Sequence, residues 1–198
     1  MEIIRRFKVT DRIEDKIQAL KEQTNAYVHD IKRLVEGLAI PNRINLISYF
    51  TTSLNISYDP EQESLCLGSY HIRNIGSAAI TNPSLCITIP KESPFYFSGR
   101  YVHENFTPNF KTQGQSQWER FNDKSSKEEY WLRPVGKSII EPNETISFTN
   151  FQIKWSHNLS YSGTIMGFTY CDQLTEGVVV LNPINLNGMG QTQEEDNG

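Results

Sequence analysis

The chain has 198 residues, of which 37% are hydrophobic and 21% charged, with 12 glycines and 9 prolines. Those fractions exclude a wholly disordered, collagen-like or linker-dominated chain, and the length allows one sizeable core plus an appendage. A formal charge of −4 argues against a generally basic nucleic-acid-binding protein, and no run approaches the ~18 apolar residues of a membrane-spanning helix.

The first element is a helix. Ile13, Ile17, Leu20, Thr24, Tyr27, Ile31, Leu34 and Leu38 are spaced alternately four and three residues apart. That is an unbroken heptad seam, and it predicts an amphipathic, coiled-coil-like helix over 11–39. Thr10 or Asp11 can cap its start, and Asp11 with Glu14 has capping-box spacing. Gly37 weakens the last turn and Pro41 forbids continuation. Ile17 and Ile31 at a, with Leu20 and Leu34 at d, lean toward a parallel dimer. Thr24 and Tyr27 are poor seam residues, and Val28 and Val35 widen the stripe. That width equally suits a helix lying on a globular core. Residues 1–43 therefore read as an oligomerisation or docking segment. Ile13, Ile17, Leu20, Tyr27, Ile31, Leu34 and Leu38 are its contact residues, for a second copy or a partner protein. Arg5, Arg6 and Lys8 form too small a group for a nucleic-acid arm, so no nucleic acid is expected.

After Pro41 the hydrophobic period changes. Residues 44–52 (INLISYFTT) fit either a first strand or a continued helix. Leu54, Ile56 and Tyr58 alternate with polar residues, and Asp59-Pro60 starts a turn. Leu65 and Leu67 are followed by Tyr70 and Ile72, a change of phase at Gly68 that predicts a β-bulge there. Leu85, Ile87 and Ile89 alternate next. Pro142-Asn143 predicts another turn, and a second slip falls near Asn150, between Phe148 and Phe151. Runs at 164–171 and 177–184 close the series. Short strands without intervening helical patterns predict a mainly β domain over 44–187, an antiparallel sandwich. The order of the runs resembles an immunoglobulin-like β-sandwich, a likeness of architecture that implies no particular function. The acidic tail, 188–198, reads as disordered.

Residues 95–131 form an aromatic-rich insertion. They hold ten of the 22 aromatic side chains and only one residue from Val, Ile, Leu and Met, namely Val102. Rings set among amides and hydroxyls can pin a long loop onto the sandwich. They can equally form a partner or ligand surface, and Trp118, Phe121, Tyr130 and Trp131 are the candidates for a peptide or a stacked sugar.

Catalytic motifs are missing: there is no Walker A loop, GxGxxG, GxSxG, HExxH or EF-hand loop. His103-Glu104 is the only adjacent His/acid pair, and Cys171-Asp172 sits at a strand end; these are the weak candidates for a hydrolase. Cys66, Cys86 and Cys171 all lie in apolar runs and are expected to be buried thiols. The first residues, MEIIRRFKVTDRIEDK, lack the apolar core of a signal peptide. The expectation is a non-catalytic interaction or assembly protein, cytoplasmic, with no cofactor, no metal and no membrane contact.

Overall fold

The computed structural model describes residues 2–37, 42–59, 61–103, 117–156 and 160–190, with helix side chains described over 14–35. The chain divides into two compact units, 1–41 and 42–198. The first is a single helix, α1 (Glu2–Gly37). It starts nine residues before the predicted cap, because 2–10 contain no proline or glycine to stop it. Asp11 and Glu14 are therefore interior residues of a longer helix. The described helix runs to Gly37, and the predicted end at 39 lies outside the described residues.

The second unit is mainly β. In chain order its strands are β1 (Leu46–Asn55), β2 (Ser64–Asn74), β3 (Ile80–Thr81), β4 (Ser84–Thr88), β5 (Tyr96–Ser98) and β6 (Val102–His103). Then follow β7 (Trp118–Arg120), β8 (Glu129–Pro134), β9 (Ile139–Ile140), β10 (Thr145–Trp155), β11 (Tyr161–Cys171), β12 (Leu174–Val179) and β13 (Ile184–Gly188). One sheet has the order β1-β2-β10-β5. The other runs β12-β11-β4-β8-β7-β6, with β13 also on β11; β3 and β9 pair apart. Pairing is antiparallel except between β6 and β7. The ambiguous segment 44–52 thus belongs to a strand, and the single run predicted at 177–184 is broken between β12 and β13.

The turn chemistry follows the sequence. Asn143 has a φ of 65° after Pro142, and Glu144 N–H donates to Glu141 O at 3.0 Å. The register of β10 shifts between Phe148 and Phe151, with Asn150 at a φ of 60°. The bulge predicted at Gly68 is not there. β2 pairs with β1 without interruption, and its even-numbered residues face inward throughout. Leu65 and Leu67 are outward residues, so the leucines suggested the wrong face. Gly68 serves the opposite strand: a Cβ there would lie 2.3 Å from the Phe151 ring. The bulge on β10 brings that ring over the glycine.

Rings from both sheets fill the core. Phe50, Tyr70, Phe97, Trp118, Phe148, Phe151 and Trp155 are all buried. Tyr70 of β2 reaches across to β11, where the absence of a side chain at Gly167 leaves space for its ring. Its hydroxyl donates to Ser48 Oγ at 2.9 Å and lies 2.9 Å from Thr169 Oγ1. The segment between β12 and β13 ties the sheets along one edge. Leu181 N–H donates to Ser48 O at 2.8 Å. The Asn182 side-chain amide accepts from Phe50 N–H at 2.8 Å and donates to Phe50 O at 2.9 Å. One asparagine thereby supplies the two hydrogen bonds of a strand partner.

Candidate functional site

Of the predicted seam, Ile17, Leu20, Tyr27, Ile31 and Leu34 lie on α1 with described side chains, and all are exposed, as are Val28 and Val35. Leu34 is 67% exposed. Thr24 donates its hydroxyl back to Leu20 O at 2.8 Å. Leu38 and the side chain of Ile13 lie outside the described residues.

The four candidate rings of the aromatic segment do not form one platform. Trp118 and Tyr130 point inward and are buried, at 1% and 5% exposure. Trp118 donates its indole N–H to Ser147 O at 3.0 Å. Tyr130 packs on Phe97 with ring planes tilted by 45° and centroids 4.3 Å apart. The alternation of β8 explains the division, since residues 130 and 132 face the core and 131 and 133 face out.

Arg120, which sequence reasoning missed, organises this region. It is buried, and its guanidinium lies 4.4 Å from the Tyr130 ring centre. Nη2 donates to Asp123 O (3.0 Å), Ser126 O (2.7 Å) and Glu129 O (3.1 Å), while Nε donates to Asn122 Oδ1 (2.8 Å). One cation thus holds the 121–129 loop by its carbonyls, a task suited to a planar fork of donors.

The outward rings form a smaller surface. Phe121 and Trp131 are half-buried, edge to face at 6.1 Å, and Trp131 lies 4.9 Å from Tyr170 of β11. Gly177, at a φ of 83°, lets the chain pass against the Tyr170 ring. Trp131 donates to Glu129 Oε2 at 2.8 Å, and Arg133 bonds Glu119 at 2.9 Å while lying 5.4 Å from the Phe121 ring. Phe121 and Arg133 also border a cleft of about 470 Å³ with Asn82, Ser84, Lys137 and Ser138. Tyr170 was legible in principle, because Met166, Phe168 and Tyr170 alternate on one face of β11. Its meeting with Trp131 is a long-range contact. Beneath this face the Cys86 thiol is pushed up to about 12, first by burial and then by the charge of Glu129.

Of the groups named for catalysis, Cys171 and His103 have described surroundings. Burial pushes the Cys171 thiol up, away from thiolate. His103 is shifted down by desolvation and by Lys124 and Arg120, and its Nδ1 is buried without a partner among the described residues. Its neighbour Glu104 lies outside them. All three cysteines are buried and free. Among the described residues, no three or more His, Cys, Asp or Glu side chains gather as a metal site, and no helix is long and apolar enough to cross a membrane.

A second concavity, of about 430 Å³, opens at the C-terminal end of β1. Leu54, Ile56, Tyr58, Trp155, Tyr161 and Leu186 are among the residues that line it. The Trp155 indole N–H is buried there without a hydrogen-bond partner among the described residues. An unpaired buried donor costs about 1–3 kcal/mol.

No family model matches the chain, and no curated protein matches it.

Proposed function

We propose that this is a non-catalytic interaction and assembly protein whose helix pairs with that of a second copy while its β unit presents a recognition surface. The observation that carries the reading is the apolar stripe Ile17, Leu20, Ile31 and Leu34, exposed along a helical unit in which α1 is the only element among the described residues. A helix of 36 residues is about 54 Å long, enough for five heptads. For the β unit the arrangement we favour is an immunoglobulin-like sandwich. The orders β1-β2-β10 and β12-β11-β4-β8 support that reading, although β5 precedes β8 in the chain. Three buried free thiols suit a reducing compartment, so we place the protein in the cytoplasm.

Light scattering of the full chain over a concentration series tests the assembly. The expected result is an oligomer that becomes a monomer when Leu20 and Leu34 are both changed to Glu. A monomeric parent chain at every concentration would sink the reading. A second reading, sugar or peptide binding on the outer face, rests on the half-exposed pair Phe121 and Trp131 beside the Arg133 cleft. A glycan array probed with the full chain and with Trp131→Ala separates it from adventitious binding.

A further inference from the structure

We infer that the groove beside the end of β1 is a site for strand addition, taking an extended peptide of a partner protein with uncharged, apolar side chains at alternate positions. Three observations converge on it. The first is parity. Leu46, Ser48 and Phe50 point inward and are buried, and the pairing of β1 with β2 continues in the same register to Asn55. Thr52 and Leu54 therefore also point inward, yet both are exposed, Leu54 to 52%. Ile56, next in the same alternation, is exposed too. These are core-facing side chains without a cover.

The second observation is the backbone. Both polar groups of Phe50 face the free edge of β1, where Asn182 takes them. Two-residue periodicity puts the N–H and C=O of Thr52 and Leu54 on that same edge. Among the described residues β2 is the only strand paired with β1, and Asn182 ends the side-chain substitute at Phe50. Donors and acceptors alternating at that spacing are what an incoming strand satisfies. On the far side of the groove, β13 has β11 as its strand partner.

The third observation is the floor. Trp155, Tyr161 and Leu186 form an apolar base, and the lining contains no charged side chain. Trp155 is itself buried, at 1% exposure, and borders the groove, so its indole proton reports on an occupant. An uncharged lining disfavours an ionic ligand, and the strand edge specifies a peptide backbone rather than a compact small molecule.

The lining of the site is drawn from the β unit alone, so the test separates the two proposals. A phage-displayed library of random dodecapeptides is selected on the full chain, and the leading peptide is synthesised and titrated. Its sequence is expected to be apolar at alternate positions. Affinity is expected to fall about fivefold, the size of one lost hydrogen bond of ordinary strength, in Thr52→Pro. That change removes an edge donor and leaves the β2 side untouched. Leu54→Arg is expected to weaken binding similarly. Phe121→Ser, on the outer face of the other sheet, and the Leu20→Glu/Leu34→Glu chain are expected to bind as the parent does. With the unmodified chain, peptide should slow exchange of the Thr52 and Leu54 amides and shift the Trp155 indole proton but not that of Trp118. Failure of the library to enrich any peptide would overturn the inference. So would undiminished binding by both edge variants, unprotected edge amides, or dimerisation through β1 that Thr52→Pro abolishes.

Discussion

The junction at Tyr70 makes a quantitative test of how the two sheets are held together. Its hydroxyl meets Ser48 Oγ and Thr169 Oγ1, each at 2.9 Å, and all three residues are fully buried. Tyr70→Phe removes two hydrogen bonds worth about 1 kcal/mol each and strands two buried hydroxyls. The expected loss is about 2–3 kcal/mol. Removing the stranded groups as well, in Tyr70→Phe/Ser48→Ala/Thr169→Val, is expected to bring stability back to within about 1 kcal/mol of the parent, because apolar replacement of every partner leaves nothing unsatisfied. The coupling within the cycle is then about 1–2 kcal/mol. Urea unfolding followed by tryptophan fluorescence measures it, since Trp118, Trp131 and Trp155 all belong to the β unit and the helix contributes no signal. If the three substitutions add up independently, the hydroxyls do not act as one network and the reasoning fails.

Other consequences follow from the same packing. Gly68→Ala places a methyl against the Phe151 ring, buried at 0% exposure, and is expected to cost about 1–3 kcal/mol by overpacking, read from the urea midpoint. Asn182→Asp keeps an acceptor for Phe50 N–H but sets a carboxylate against Phe50 O; a loss of about 1–2 kcal/mol is expected, with faster amide exchange at Phe50. Burial raises Cys66 to about 11 and Tyr70 to about 12, above their values of 9.0 and 10.0 when unperturbed. Their neutral forms are favoured by folding, so that stability is complete below pH 9 and is lost as pH rises through 9 to 12. Denaturant midpoints at successive alkaline pH values test the sign, and a midpoint that holds constant across that range would contradict it.

The fold was legible where local chemistry is decisive. Pro41 marks the change of period, Pro142-Asn143 makes its turn, and Asn150 adopts the left-handed conformation that carries the bulge. Two readings failed for identifiable reasons. Asp11 and Glu14 have the spacing of a cap, but the same residues are acceptable inside a helix, and only a breaker upstream would have distinguished the cases. At Gly68 the larger side chains, Leu65 and Leu67, lie on the outer face, while Cys66 and a glycine lie on the inner one. A pattern read from size therefore inverted the strand for four residues. What specifies Gly68 is Phe151, more than eighty residues away, and no local window contains that ring.

The candidate surfaces divide along the same line. Alternation assigns Tyr130 and Trp131 to opposite faces as soon as β8 is placed, so one of the four predicted rings moves into the core on parity alone. Alternation also assigns Leu54 to the inner face of β1. It does not say whether anything lies across from it. That depends on where the opposite edge departs, and here the chain leaves β12 after Val179 and uses Leu181 and Asn182 to bond Ser48 and Phe50 before β13 begins. The connection closes the sandwich beside Phe50 and leaves Leu54 and Ile56 uncovered. Parity is a local property of a strand, whereas cover belongs to a pair of sheets. An inward-facing residue without cover is therefore visible only in three dimensions, and it is the residue that a partner strand would bury.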